Sequence, residues 1–160
     1  MEGKLRNMAS VYLCRDGEIL LLKRNSGIVQ NTWIGSAGGH FEAAEVNDAG
    51  ACVLREMEEE LGLLESDLEN LKLRYVTLRM KDGEIRQNYY FFADLKSKRM
   101  LCSTEGELCW FSKKDILSLE MPASAKAMMA HYLTEGCCSD RLYGAVTCET
   151  NTVFTELKEF

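Results

Sequence analysis

The chain has 160 residues, of which 46% are hydrophobic and 28% are charged, and this composition suits a single globular domain with a buried core. Its net charge of −6 and the absence of a basic stripe argue against a polymeric nucleic acid as partner, although a small anion can still bind beside a cation. The sequence shows neither an apolar run long enough to span a membrane nor a signal-peptide pattern.

The seven cysteines are scattered, form no CxxC pair and lack the spacing of zinc ligands. We interpret them as free thiols of a protein from the reducing cytoplasm. Cys137 and Cys138 are adjacent, and we interpret this adjacency as incidental rather than as a redox motif.

Turn signals divide most of the chain into predicted strands. Arg15-Asp16-Gly17 joins the first two strands, and Lys81-Asp82-Gly83 predicts a second hairpin. The predicted strands are 8–14, 18–24, 71–80, 84–95, 107–111, 142–148 and 153–157.

Helices are predicted between these strands. One helix has its cap at Asn47 or Asp48, runs to Leu61 and stops at Gly62, and another runs from Pro122 to Thr134. A short helix is predicted at 113–117 and a polar loop at 25–30. Because strands and helices mix without strict alternation, the fold class is α+β with a mixed sheet, in one domain over 1–160. The hairpin within 140–160 either extends the sheet, covers the site or builds a dimer.

Three glutamates share one face of the helix that ends at Leu61. At about 100° per residue, Glu56, Glu59 and Glu60 fall in one arc beside the apolar stripe, and Glu58 points toward water. Such carboxylates repel one another unless they hold a hard cation such as Mg²⁺. A solvated acidic face is the alternative, but these acids lie beside the stripe rather than opposite it. The core-facing stripe contains Gly50, Val53, Leu54, Met57 and Leu61.

The stretch from Gly39 to Leu63 matches a known motif. Arg55-Glu56-Met57-Glu58-Glu59-Glu60-Leu61-Gly62-Leu63 fits the second half of the Nudix box, R-E-U-x-E-E-x-G-U with U bulky aliphatic, and Gly39 with Glu45 fits the first half. Nine residues separate Glu45 from Arg55 where the box has seven, so two residues are inserted within 46–50. The chain therefore resembles the Nudix hydrolases, which implies the Nudix fold, a mixed sheet sandwiched between helices.

The resemblance also implies a divalent-metal site. Glu56 would be a metal ligand or the general base, and Arg55 would position the carboxylates. A distal carboxylate would come from Glu105, or alternatively from Glu107. The expected cofactor is Mg²⁺, with Mn²⁺ as a substitute. The implied metal ligands are the Gly38 carbonyl, Glu56, Glu59, Glu60 and Glu105, and the implied catalytic residues are Arg55, Glu56, Glu59 and Glu105.

Three further residues are candidates for substrate binding, each with a structural alternative. Trp33 either stacks on a base or packs in the core or at its rim. His40 follows the glycines of the motif and is either a site residue or a structural one. Arg24 either contacts phosphates or lies on the surface.

The implied activity is hydrolysis of a diphosphate linkage in a nucleotide, foremost a nucleoside triphosphate such as oxidised dGTP, giving a monophosphate and pyrophosphate. The alternatives are a pyrophosphatase for ADP-ribose or nucleotide sugars, an isopentenyl diphosphate isomerase and a non-catalytic nucleotide-binding module. The isomerase is disfavoured because the segment at 33–40 lacks a cysteine, and the module because the box glutamates are present. We expect a cytoplasmic monomer or homodimer without nucleic-acid or membrane partners.

Overall fold

The computed structural model describes residues 4–27, 31–149 and 151–158, and all statements below refer to them. The strands are β1 (Lys4–Arg15), β2 (Glu18–Arg24), β3 (Trp33–Ile34), β4 (Ala37–His40), β5 (Leu68–Lys81), β6 (Glu84–Leu95), β7 (Gly106–Ser112), β8 (Leu142–Thr147) and β9 (Thr152–Leu157). The α-helices are α1 (Ala49–Leu61) and α2 (Ala123–Thr134). Short 3₁₀ helices form at Ala43–Glu45, Glu65–Asp67, Ile116–Ser118 and Gly136–Cys138.

The strands form one mixed sheet. Its main path runs β3-β2-β1-β6-β5-β8-β9, while β4 pairs with β1 and β7 pairs with β2. The β1–β6 and β5–β8 pairs are parallel, and the other pairs are antiparallel. The predicted mixed sheet and α+β class are therefore confirmed.

Two of the hairpins close through Asp-Gly turns. Asp16 and Gly17 have φ of 52° and 82°, and Asp82 and Gly83 have φ of 55° and 75°. A positive φ at both central residues is the requirement of a type I′ turn, whose twist matches that of the flanking strands. The two Asp-Gly pairs therefore set the registers of β1 with β2 and of β5 with β6.

One helix packs on each face of the sheet. Val53, Met57 and Leu61 of α1 join one core with alternate residues of β1 and β6, and α2 packs into a second core on the opposite face. This arrangement confirms the predicted sandwich. The predicted stripe is wrong at one position, because Cys52 of α1 is fully buried while Gly50 is only half-buried.

Two of the predicted segments either differ from the described structure or lie partly outside it. The short helix predicted at 113–117 is wrong, because only a 3₁₀ turn forms, at Ile116–Ser118, and the backbone is extended again at Leu119. A segment of this length has too few hydrogen bonds to offset the cost of nucleating an α-helix. Of the loop predicted at 25–30, residues 28–30 lie outside the described residues. Neither α1 nor α2, the α-helices of the described ranges, is long and apolar enough to cross a membrane.

Candidate active site

Helix α1 has a defined start and a defined end. The Asp48 side chain accepts a hydrogen bond from the Ala51 N–H at 2.9 Å, which caps the first turn. Gly62 adopts the left-handed conformation with φ of 62°, and its N–H donates to the Glu58 carbonyl at 2.9 Å. Both ends of the helix follow the prediction, so the register of its glutamates is fixed.

Arg55 is the central cation of the site. Its Nε and Nη2 donate to the two carboxylate oxygens of Glu45 at 2.6 and 3.0 Å, and its Nη1 donates to Glu56 at 2.9 Å. It also donates to Glu59 at 3.2 Å and to the His40 carbonyl at 3.1 Å. Arg55 therefore links the 3₁₀ turn before α1, strand β4 and two box glutamates, as a residue that positions carboxylates should.

Glu45 is the buried partner of this guanidinium. Its hydrogen bonds from Arg55 lower its pKa to about 2, against the opposing effect of burial. Glu45 also accepts the Glu42 N–H at 2.9 Å, which closes the short 3₁₀ turn. Glu45, the glutamate in the first half of the motif, therefore holds Arg55.

The two inserted residues leave this contact intact. The connection between the 3₁₀ turn and α1 consists of Val46, Asn47 and Asp48, and all three are exposed. Glu45 lies on one side of the connection and α1 on the other. The additional length therefore extends into solvent.

Strand β4 brings backbone close to the glutamates. The Gly38 N–H donates to the Glu60 carboxylate at 3.0 Å. A Cβ placed on Gly39 would lie 2.3 Å from Oε1 of Glu56, so a side chain at this position would displace the Glu56 carboxylate. The Gly-Gly pair thus admits two carboxylates of α1 to the surface of the sheet.

A third carboxylate comes from the segment before β7. Glu105 accepts a hydrogen bond from Nη2 of Arg24 at 3.0 Å, and both side chains are about one-third exposed. Burial raises the pKa of Glu60 to about 7; the Gly38 N–H opposes the rise, and the charges of Glu56 and Glu105 add to it. Glu105 thus lies within electrostatic range of the box glutamates. The alternative, Glu107, is exposed on β7 opposite Lys23.

The donor chemistry of this cluster suits a hard divalent cation. It offers carboxylate oxygens from helix α1 and from the segment before β7, and their mutual repulsion is of the kind that a cation relieves. Within the described ranges no three acidic, histidine or cysteine side chains are already arranged to hold an ion. Glu59 is 60% exposed, and Glu56 and Glu60 are engaged by Arg55 and Gly38. Binding an ion would therefore require side-chain rotation.

The substrate-binding candidates are divided between the two faces of the sheet. Arg24 lies on the α1 face with Leu20 and Leu22 and contacts Glu105, so it belongs to the carboxylate cluster. Trp33 lies in the α2-side core, edge-to-face with Phe111 at 4.7 Å. The structure therefore does not bring Trp33 together with the glutamates, and a contact with substrate stays a prediction for this residue.

His40 is exposed at the end of β4, and its Nε2 accepts a hydrogen bond from Arg6 at 2.7 Å. Partial burial and the charge of Arg6 lower its pKa, which favours the neutral ring. Sequence reasoning missed Arg6 and the Arg24–Glu105 pair. Both could have been found only from strand registers, because 34 and 81 residues separate the partners.

The cysteine nearest to the carboxylates is buried and weakly acidic. Cys52 has its Sγ 3.8 Å from Nη2 of Arg55, and burial raises its pKa to about 12. A thiol in this state is a poor nucleophile. The geometry gives no support to cysteine-based isomerase chemistry.

A separate cavity of about 500 Å³ lies on the α2 face of the sheet. Its wall includes Lys72, Arg74, Asp94 and Tyr132, and it shares no residue with the carboxylate cluster. Lys72 pairs with Asp140, and Asp94 accepts from Asn70. Because no residue of the glutamate motif lines this cavity, we assign the candidate active site to the α1 face.

Comparison with known families agrees with this site. The NUDIX domain model matches residues 4–132, which include β1, the Gly-Gly strand, α1 and the Arg24–Glu105 pair. The chain belongs to the Nudix family. The predicted enzyme class, a hydrolase of phosphorus anhydrides, is confirmed. No curated protein matches the sequence.

Several solved structures share the fold of this Nudix protein. A MutT Nudix hydrolase from Burkholderia pseudomallei is 26% identical, with a TM-score of 0.66 over 79% of this chain and 97% of that one. A MutT protein from Bacillus halodurans is 23% identical, with a TM-score of 0.65 over 94% and 97%. An Ap4A hydrolase from C. elegans is 17% identical, with a TM-score of 0.67 over 84% and 99%.

Proposed function

We propose that this Nudix protein hydrolyses nucleoside triphosphates, among them oxidised dGTP, to a nucleoside monophosphate and pyrophosphate, with Mg²⁺ as the cofactor and Mn²⁺ as a substitute. The observation that carries the proposal is that Glu56 and Glu60 lie against the Gly38-Gly39 backbone, with Glu105 near enough to Glu60 to influence its carboxyl group. A triphosphate is placed first because the chain resembles the compact members of the family, and two structures that share its fold are named MutT.

The ion would be held by Glu56, Glu59, Glu60, Glu105 and the Gly38 carbonyl. When bound, it supplies neutralisation of the diphosphate charge and acidification of water. Arg55 orients the Glu56 carboxylate through a hydrogen bond from Nη1 at 2.9 Å. Arg24 provides a cation at the edge of the cluster, where it can contact a phosphate oxygen while it holds Glu105.

Proton transfer falls to Glu56 in this proposal. Its carboxylate lies against Gly39, which leaves its oxygens next to open backbone rather than under a side chain. A water held between Glu56 and the scissile phosphorus would lose its proton to this carboxylate as it attacks in line. Arg55 stabilises the orientation but does not touch the reacting atoms.

Product analysis over a nucleotide panel tests the proposal. Purified protein with Mg²⁺ is incubated with dNTPs, oxidised dGTP, ADP-ribose, Ap4A and capped RNA, and the phosphorylated products are identified. We expect monophosphate and pyrophosphate from a triphosphate. Glu56→Gln should lower turnover by about 10²–10⁴-fold, whereas Glu58→Gln, at an exposed position of the same helix, should retain it.

Other outcomes would select an alternative. Hydrolysis confined to Ap4A would move the substrate to the class named for the C. elegans structure. Turnover of ADP-ribose alone would make the protein a pyrophosphatase of nucleotide-linked sugars. Nucleotide binding by calorimetry with every panel member intact would refute the enzymatic proposal and indicate a binding module.

A further inference from the structure

The α1 face of the sheet extends well beyond the helix that covers it. Helix α1 packs on β1 from Ala9 onward and on β6 from Tyr89 onward. On the same face, the earlier residues of both strands and the later strands of the sheet carry large apolar side chains without a covering helix. We call this area the open face, and it contains Leu5, Leu78, Met80, Ile85, Val146, Val153 and Leu157.

Strand register shows that these residues form one surface. Leu5 pairs with Ile85, and Ile85 pairs with Met80. One step along β5, Leu78 pairs with Val146, which pairs in turn with Val153. Paired residues point to the same side of a sheet, so the apolar side chains run across five adjacent strands.

These side chains are exposed to an unusual degree. Within the described residues, ten large hydrophobic side chains are exposed, and six of them lie on the open face: Leu5, Leu78, Met80, Val146, Val153 and Leu157. Isolated exposed hydrophobic residues are common, but a contiguous apolar area on a sheet is typical of an interaction surface. The concentration of six on one face therefore calls for a covering partner.

The open face carries no charged side chain. The positions interleaved with its apolar residues are uncharged as well, including Asn7, Gln87, Gly144 and Thr155. On the same strands the opposite face is charged, and its described residues include Lys4, Arg6, Arg79, Lys81, Glu84, Arg86 and Glu156. Charge is thus segregated by face rather than absent from these strands.

We propose that the open face is a homodimer interface, packed against the same face of a second copy. Each chain has a net charge of −6, so two copies repel across most of their surfaces. The open face brings two copies together without juxtaposing like charges. An apolar sheet face can pack on its own copy, as a twofold interface requires, and two such faces lie about 10 Å apart.

The size of the open face predicts a weak dimer. Five strands about 4.8 Å apart and five residues of about 3.3 Å each give a footprint of roughly 400 Å² per copy. Upright side chains add to this area, which places the total near the lower end of specific interfaces, below about 1,200 Å². Association should therefore be reversible and depend on protein concentration.

Sedimentation velocity over a hundredfold range of concentration tests the proposal. The wild-type chain should shift from monomer toward dimer as concentration rises, and added salt should preserve or strengthen association because it screens the repulsion between the copies. The double variant Val146→Thr, Val153→Thr keeps side-chain shape and strand preference while reducing apolar character. It should raise the dissociation constant by about tenfold or more, because a twofold axis repeats each change.

Matched variants separate this interface from other uses of the surface. Met100→Thr, at a fully exposed position outside the open face, should leave association unchanged. Thermal unfolding of every variant checks the fold. A wild-type chain that stays monomeric throughout overturns the proposal, and so does a dimer insensitive to the double variant. A double variant that loses nucleotide turnover with its association unchanged would assign the face to substrate instead.

Discussion

Arg55 holds Glu45 through two parallel hydrogen bonds, with Nε 2.6 Å from Oε1 and Nη2 3.0 Å from Oε2. Bidentate guanidinium–carboxylate pairs are the strongest of the charge-assisted hydrogen bonds. The same guanidinium reaches Glu56 and Glu59 through Nη1. The orientation of the helix carboxylates therefore depends on a glutamate that lies ten residues earlier and outside the helix.

Replacing Glu45 with Gln should destabilise the protein. The amide keeps the shape but loses the charge, and Arg55 then keeps only its other partners, so unfolding free energy should fall by about 2 kcal/mol. Urea unfolding measures this loss. Glu42→Gln is the control, because Glu42 is 4.0 Å from Arg55 and two-thirds exposed, and it should change stability by less than about 0.5 kcal/mol. Equal losses of stability in the two variants would contradict a special role for the Arg55–Glu45 ion pair.

The same pair predicts a pH dependence of stability. The pKa of Glu45 is lowered from 4.5 to about 2, so its contribution is complete above about 4.5 and is lost as pH falls toward about 2. The raised pKa of Glu60 acts in the opposite direction between 4.5 and about 7. Urea unfolding of wild type and Glu45→Gln at several pH values isolates the first effect, and the two stabilities should converge as pH approaches 2. Parallel curves would refute it.

A methyl group on Gly39 should disturb the site more than the fold. Its Cβ would lie 2.3 Å from Oε1 of Glu56, so the carboxylate must move away. We expect Gly39→Ala to reduce turnover at least tenfold, a loss typical of a misplaced catalytic group. Gly50→Ala is the matched control, because its Cβ would meet only Oδ1 of Asp48, at 3.2 Å, and none of the site carboxylates, so turnover should be preserved. Unchanged turnover in Gly39→Ala would show that catalysis does not depend on this position of the Glu56 carboxylate.

Arg24 should contribute to metal binding because its guanidinium holds the Glu105 carboxylate. Arg24→Gln removes the 3.0 Å ion pair and leaves the distal carboxylate free to rotate. The loss of a residue that orients a ligand lowers metal affinity or activity by about 10–100-fold. Titration of Mg²⁺ against turnover should show a higher metal requirement for the variant. Lys23→Gln, on the other face of β2, should not change that requirement.

Arg74 should be important for stability on the opposite face. It is 5% exposed and donates to the carbonyls of Gly136, Ser139 and Arg141, between α2 and β8. Arg74→Met would leave three carbonyls without this donor and should cost about 3 kcal/mol. Limited proteolysis should then cut near these residues first. Lys72→Met, which breaks only an exposed ion pair with Asp140, should leave stability nearly unchanged.

Local chemistry explains which features could be predicted from the sequence. The Asp-Gly turns, the Asp48 cap and the Gly62 stop depend on interactions within a few residues, so these turns and helix ends can be predicted from the sequence. The α1 glutamates follow from helical periodicity once those ends are known. The stripe was wrong only near the helix start, where the buried residue is Cys52 and Gly50 is half-buried.

Long-range pairing explains what the sequence did not reveal. Contact between Arg24 and Glu105 requires β2 to lie beside β7, and nothing local specifies that register. Trp33 was a candidate for base stacking, but its place on the α2 face follows from pairing with Lys23. Two additional residues separate Glu45 from Arg55, and only the tertiary structure shows that they extend into solvent.

The parallel pairing of β1 with β6 has a consequence for how the chain folds. The residues of β1 from Lys4 to Cys14 each pair with a partner 80 positions later, from Lys4 with Glu84 to Cys14 with Asp94. During synthesis, β1 must therefore wait for 80 further residues before its neighbour β6 exists. Contacts of such long sequence separation slow folding, so nascent chains should expose β1 for longer than the hairpin of β5 and β6.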